Sequence, residues 1–460
     1  MLNFQCKRNN STFSFLIFHP IAIGFLLLIL LSSCSVQKRI AKSANKNVLD
    51  VPALHTALVG ISIYEPLNNK YWFDYQGDKY FVPASNTKIP TCYAAMKYLG
   101  DSLVGLRYVT LGKTDNKDVW VQATGDPTFL HPDFIKQPVI DFFKTDSSIL
   151  FSLVTNNQWK DDAFGSGWSW DDYTASYMSE RSLFPIYGNV IRFYGMDNGI
   201  SIVPNHIELE YGGPGKISDS FSYKNKKYIF NRAKDKNLFH WDYSATDFKY
   251  DEIPFITFDS LTIHFLKDTI KGLKLTLQSN ISLTNPKVIH SQPTDSLLKP
   301  MMHRSDNFFA EQSLLMVSNE RMGVMNDEKI IDTILKTDFK DLPQKPRWVD
   351  GSGLSRYNLF TPQDFVFILN KMKNEFGIER LKVIFPTGGE GTLANYYIAD
   401  SNYIYAKTGT LSGVVAISGF LYTKKGKELI FSVLVNNHQA SGTEVRRTVE
   451  NFLQGVRNKY

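Results

Sequence analysis

Two long apolar runs near the end of the chain constrain its fold most. Residues 414–422 (VVAISGFLY) and 429–436 (LIFSVLVN) flank a Lys-Lys-Gly-Lys turn, and β-branched and aromatic residues dominate both. Such runs joined by a short polar turn make a β-hairpin. Residues 443–457 follow with Val445, Val449, Phe452, Leu453 and Val456 at helical spacing, which predicts an amphipathic helix. Near the other end, 57–64 (ALVGISIY) and 71–75 (YWFDY) read as a strand pair, and 86–99 as a helix packed in a core. Between them, from about 105 to 290, the chain is rich in aromatic residues. Segments such as DVWVQAT, NVIRFYG, PFITF, LTIHFL and LKLTLQ look strand-like.

Charge is informative through its placement. The 460 residues carry a formal +6, and residues 1–49 hold Lys7, Arg8, Lys38, Arg39, Lys42 and Lys46 with no Asp or Glu. Those six account for the whole excess, so the rest of the chain balances. A nucleic-acid binder needs a basic folded face, and none is in surplus here. The composition, 43% hydrophobic with 29 Gly and 19 Pro, excludes collagen, low-complexity disorder and a multi-span membrane protein.

The N-terminus reads as an export signal. Lys7 and Arg8 precede an eleven-residue apolar run, 21–31. As a helix it would rise about 16 Å, roughly half the hydrocarbon thickness of a bilayer. Leu31-Ser32-Ser33-Cys34 follows and resembles a bacterial lipobox, which implies cleavage before Cys34 and lipidation there. Residues 35–50 are polar and read as a tether. After such cleavage only Cys34 and Cys92 remain, so no disulfide is available; Cys92, in an apolar stretch, reads as an inert buried thiol. The nine histidines show no metal-binding pairing, and no metal is expected.

Three short motifs stand in order: Ser85-Asn86-Thr87-Lys88, Ser305-Asp306-Asn307 and Lys407-Thr408-Gly409. Ser-x-x-Lys alone is weak, since it recurs at 43–46 and 296–299, but Lys-Thr-Gly occurs once and enters the strong hairpin. On a helix, residues at i and i+3 share a face, so Ser85 Oγ and Lys88 Nζ come within hydrogen-bond reach. A serine hydroxyl needs a neighbouring base to become a nucleophile. A lysine serves only if desolvation or a nearby cation lowers its pKa from about 10.4, and Lys407 is read as that cation. Ser85 at a helix start also offers backbone N–H groups to an oxyanion.

In order and on these elements, the set resembles the serine penicillin-recognising enzymes. The closer resemblance is to class C penicillin-binding proteins, the D-alanyl-D-alanine carboxypeptidase/endopeptidase family. Further matching segments are Gly125-Asp126-Pro127-Thr128, Gly167-Trp168-Ser169-Trp170-Asp171-Asp172, Asp350-Gly351-Ser352-Gly353-Leu354-Ser355-Arg356 and Gly391-Thr392-Leu393. The gap of 217 positions between Lys88 and Ser305 matches the family's habit of inserting domains there. Glu390 stands where Asp is expected, and no Arg follows at the usual place.

The resemblance implies an α/β (α+β) fold: a β-lactamase/transpeptidase-like antiparallel sheet flanked by helices, with large mainly β domains inserted between the first two motifs. The implied layout is a signal peptide over 1–33, a tether over 34–50, a catalytic domain from 51–105 and 290–460, and two nested domains in 106–289. It implies Ser85 as nucleophile, Lys88 as general base, Ser305 as proton relay, Asn307 as a holder of the substrate amide and Lys88, and Lys407 as the cation of the site. Thr408 with Lys407 would receive a terminal carboxylate. The strand around Gly409 would line the site, and the N–H groups of Ser85 and Thr410 would form the oxyanion hole. Asp172, Tyr177 and Arg356 would bind the diamino-acid side chain of the substrate. The implied partners are peptidoglycan stem peptides, β-lactams and, through the Cys34 lipid, a membrane of the bacterial envelope, on its periplasmic side. No cofactor is implied. A β-lactamase-type hydrolase and a non-catalytic envelope binding protein are the alternatives. Against the former, no E-x-x-L-N segment lies between Asn307 and Lys407; against the latter, every reactive position is intact.

Overall fold

A computed structural model describes residues 36–111, 118–155, 158–196, 199–205, 207–212, 230–242 and 249–460. Lys7, Arg8, the 21–31 run and Cys34 lie outside the described residues.

The hairpin forms over Val414–Tyr422 and Glu428–Asn436 and sits at the centre of a five-stranded antiparallel sheet. Strand Ile404–Leu411 flanks it on one side; Leu58–Glu65 and then Lys70–Tyr75 extend it on the other. Its strands are almost continuously apolar because both faces are covered. Side chains alternate across a sheet. Ala416, Phe420, Ile430 and Leu434 join one core with helices Lys88–Tyr98, Asn307–Met322 and Pro362–Phe376. Val415, Ile417, Phe431, Val433 and Val435 join a second core under helix Gly442–Lys459. The sheet is thus held between two helical layers, and its first strand carries the Lys-Thr-Gly motif.

The segment between the first two motifs builds a second five-stranded sheet, in the order Lys274–Ser279, Leu150–Thr155, Asp118–Ala123, Ser102–Leu111, Lys287–Pro293. Its pairings at Leu150–Thr155 are parallel on both sides. Two three-stranded sheets lie beside it, centred on Val190–Met196 and Leu238–Asp242. Two segments depart from their expected state. PFITF keeps only Pro254 in a strand, Tyr250–Pro254, and runs on as irregular chain. LTIHFL, strand-like in sequence, lies in helix Asp259–Thr269. A six-residue apolar run does not separate strand from helix by periodicity. Here Thr262, Phe265 and Leu266, at helical spacing, are the buried positions.

Residues 36–50 also depart from the tether expected of 35–50. Residues 36–44 are α-helical and pass into a π-helical turn, Asn45–Leu49. Ile40, Ala44 and Val48 are buried in the core that also takes Val449, Phe452 and Val456. Apolar residues four apart form a narrow stripe that the polar composition hides. Ile40→Ala should therefore destabilise the body by about 2–4 kcal/mol. Thermal or denaturant unfolding would measure this, and an unchanged midpoint would mean that the segment is loose.

Candidate active site

Ser85 lies in a 3-10 turn, Ala84–Thr87, that runs directly into helix Lys88–Tyr98. The turn is wound tightly: Ala84 has φ +47°, a left-handed conformation costly for a residue with a Cβ and held only by surrounding structure. The turn brings Ser85 Oγ to 3.0 Å from Lys88 Nζ. Lys88 is wholly buried, and its amine also donates to Asn307 Oδ1 at 2.6 Å and to the Ser352 carbonyl at 2.8 Å. Burial lowers its pKa to about 8, against an upward pull from Glu311, Asp350 and Asp306.

The remaining motif residues meet from the other side. Ser305 also has a left-handed backbone, φ +63°. Its Oγ accepts from Lys407 Nζ at 2.8 Å, and the same amine donates to the Thr408 carbonyl at 2.7 Å. Lys407 is fully buried; burial first and the Lys88 charge second push its pKa well below the normal lysine value. This corrects one expectation. Burial, rather than a charge on Lys407, depresses Lys88, while the charge of Lys88 acts on Lys407.

Glycine is required where strand Ile404–Leu411 passes Ser85. A Cβ on Gly409 would lie 2.7 Å from the Pro83 carbonyl oxygen and 3.0 Å from the Ser85 nitrogen. A Cβ on Gly353, whose φ is +85°, would lie 1.9 Å from the Ala84 carbonyl oxygen. Asp350 fixes the loop that delivers the Ser352 carbonyl: it accepts from the N–H groups of Gly353 and Ser355, from Asn358 and from Trp168 Nε1.

The three positions assigned to a substrate side chain sit on segments that pack against the motif loops. Asn307 Nδ2 donates to the Tyr177 carbonyl at 2.9 Å, joining the second motif to the inserted segment. Asp172 ends a 3-10 turn, Trp170–Asp172, and is part-exposed. That loop rests on the segment bearing Arg356, since Trp168 reaches Asp350 and a Cβ on Gly167 would touch Tyr357 and Ser355 Oγ. Arg356 is exposed, and both its terminal nitrogens donate to the Ser412 carbonyl at 3.2 Å.

Sequence reasoning missed several contributors. Glu311, one helical turn beyond Asn307, is buried beside Arg181 and accepts from the Ser352 N–H at 2.7 Å. Burial and the nearby Asp350 raise its pKa to about 8. Its spacing of four from Asn307 was the available signal. Thr392, in the Gly391-Thr392-Leu393 segment already singled out, shares a 2.7 Å hydrogen bond with Thr408. Arg446, on the polar side of the last helix and not singled out, donates to Thr410 Oγ1 at 3.1 Å. Nothing local marks Arg446, because its partner lies on a strand 36 positions earlier.

Only the unprotonated amine of Lys88 can accept the Ser85 proton. With a pKa of about 8, about one amine in ten is neutral at pH 7, far more than for a free lysine. The rate of Ser85 acylation should therefore rise with pH and level off above an inflection near 8. Glu311→Gln removes a carboxylate whose ionised form favours the ammonium. With the pKa of Glu311 itself held up to about 8, that form builds up only across the same pH range. The inflection should therefore move to lower pH, by less than a permanent charge would move it. Stopped-flow acylation across pH measures both. An inflection near 10, or one that Glu311→Gln moves upward, would exclude Lys88 as the base.

Comparison with known proteins accords with this site. The family model described as "D-Ala-D-Ala carboxypeptidase 3 (S13) family" matches residues 40–219 and 270–459. D-alanyl-D-alanine carboxypeptidase DacB of Haemophilus influenzae is 23% identical, over 95% of this chain and 97% of its own. A D-alanyl-D-alanine carboxypeptidase of Actinomadura sp. (strain R39) is 24% identical, over 85% and 80%. The crystal structure of penicillin binding protein 4 (dacB) from H. influenzae superposes with a TM-score of 0.70 at 20% identity, covering 91% of this chain and 98% of that one, and so shares the fold. Spanning both ends of the described body and all three motifs, the match makes this chain a member of the D-Ala-D-Ala carboxypeptidase S13 family, a serine peptidase.

Proposed function

We propose that the chain removes the terminal D-alanine from peptidoglycan peptides ending in D-Ala-D-Ala, and opens peptide cross-links, through an acyl-enzyme on Ser85. One observation carries this reading: a fully buried amine, Lys88 Nζ, 3.0 Å from Ser85 Oγ and 2.6 Å from Asn307 Oδ1. The family membership and the names of the relatives support the substrate. Ser85 Oγ attacks the carbonyl of the penultimate D-alanine and gives its proton to Lys88. The oxyanion is met by the N–H groups of Ser85 and Thr410. The peptide C–N bond then breaks; the leaving amine takes a proton through Ser305, and water hydrolyses the ester to restore Ser85. Lys407 and Thr408 hold the terminal carboxylate. A β-lactam acylates the same serine, and with no E-x-x-L-N segment after Asn307 the adduct should be long-lived.

Ser85→Ala should abolish both fluorescent-penicillin labelling and D-alanine release, with unfolding unchanged, because it removes one half-buried hydroxyl and no core volume. Retained labelling would move the nucleophile elsewhere. Fast turnover of the wild-type adduct would instead favour the β-lactamase reading.

Asp172 and Arg356 are read as the pair that binds a zwitterionic side-chain terminus of the diamino acid, carboxylate for ammonium and guanidinium for carboxylate, with Tyr177 as a wall. Charge-assisted hydrogen bonds of this kind are stronger than neutral ones. Asp172→Ala and Arg356→Ala should each lower, by about tenfold or more, the preference in kcat/KM for a diaminopimelate peptide over one with an uncharged side chain. Penicillin acylation should persist in both. An unchanged ratio in both variants places the specificity pocket elsewhere.

The lipobox-like Leu31-Ser32-Ser33-Cys34 supports export and a lipid on Cys34, placing the enzyme on the periplasmic side of an envelope membrane. Among the described residues no helix is long and apolar enough to cross a membrane.

A further inference from the structure

The helix at 36–44 is docked on the body, and the place where it docks is basic. Tyr460 Oη donates to the Val36 carbonyl at 3.4 Å. The Lys425 N–H donates to the Tyr460 carbonyl at 2.6 Å, and the Lys424 N–H to that of Arg457 at 3.0 Å. Three separate pieces of chain therefore meet at one corner: the 36–44 helix, the central hairpin turn and the end of helix Gly442–Lys459. Each brings exposed cations: Lys38, Arg39 and Lys42 from the first, Lys424 and Lys425 from the second, Lys459 from the third. The nearby carboxylates Glu65 and Glu428 are already paired, with Lys427 and Lys373. No ion pair among the described residues neutralises the six cations.

The connection to the leader decides what such a corner faces. Cys34 precedes Val36 by two residue steps, which reach about 7 Å at most. A lipid on Cys34 therefore leaves the corner little slack to stand off from the headgroups. Clustered cations act strongly on a charged surface within a Debye length, about 8 Å at physiological salt. We propose that this corner lies directly on a bilayer of anionic phospholipid, so that the enzyme body is docked on the membrane and not suspended from a flexible stem. The proposal rests on the envelope placement above.

The test uses the full chain in vesicles of phosphatidylcholine, with and without phosphatidylglycerol. The readout is the rate at which single lysines react with a soluble amine reagent, resolved by peptide mass spectrometry. Lys336, exposed on a helix of the opposite core, is the internal reference. Phosphatidylglycerol should slow Lys38, Lys42, Lys424 and Lys425 by about threefold or more and leave Lys336 unchanged, and high salt should abolish the difference. Glycerophosphate in solution should give no protection. The double variant Lys424→Gln/Lys425→Gln, confined to an exposed turn, should reduce the protection of Lys38. Equal rates in the two vesicle types, equal slowing of Lys336, or protection by free glycerophosphate would each overturn the proposal. The intact mass of the same sample reports whether Cys34 carries lipid. Protection without lipid leaves the corner standing and removes the lipobox reading; lipid without protection does the reverse.

Discussion

The desolvated amine of Lys88 is the interaction on which the rest of the site depends. Burying an ammonium is expensive unless acceptors surround it. Three acceptors do: Ser85 Oγ, Asn307 Oδ1 and the Ser352 carbonyl. Each comes from a different part of the chain, so the amine ties the first motif, the second motif and the 350–356 loop into one unit. The supporting groups follow from this need. Asp350 spends its carboxylate on fixing the loop that presents Ser352, and Glu311 holds the N–H of the same residue. Gly353 is there because a side chain would displace the turn that presents Ser85.

The central sheet is what makes that local arrangement affordable. Left-handed conformations at Ala84 and Ser305 cost of order 1–3 kcal/mol each, and they survive only where the surroundings leave no alternative. The strand bearing Lys407 is paired to Val414–Tyr422 along its whole length, from Ile404 opposite Leu421 to Leu411 opposite Val414. Helices Lys88–Tyr98 and Asn307–Met322 share a single core with one face of the sheet. Packing of both faces thus fixes the strand relative to the two helices, and the strained turns are positioned between rigid partners.

The sheet was legible because its hairpin strands are apolar throughout and its turn is strongly polar. The last helix was legible from its stripe at Val445, Val449, Phe452 and Val456. The three motifs were legible because their spacing within each motif is short, so local geometry alone places Ser85 beside Lys88. What escaped was set by contacts between distant segments. Arg446 acts through a partner that no local pattern announces, and Glu311, four positions from Asn307, acts on a loop 41 positions away. The 36–44 helix was hidden for a different reason: three small or medium apolar residues at spacing four are outweighed by the polar residues between them. LTIHFL shows the converse limit, a run too short for its period to be read.

Two buried lysines in one site also set its electrostatic character. Lys407 feels both desolvation and the Lys88 charge, and both drive it toward the neutral amine. Glu311, Asp350 and Asp306 act on Lys88 and favour its ammonium, whereas desolvation and the Lys88 charge are what act on Lys407. The ammonium form of Lys407 is therefore disfavoured by its surroundings. A ligand carboxylate placed between Lys407 and Thr408 would offset that penalty and stabilise the ammonium of Lys407. Binding of the carboxylate and protonation of Lys407 are then parts of one charge balance. An amide with no terminal carboxylate would fit the same groove and leave that balance unmet.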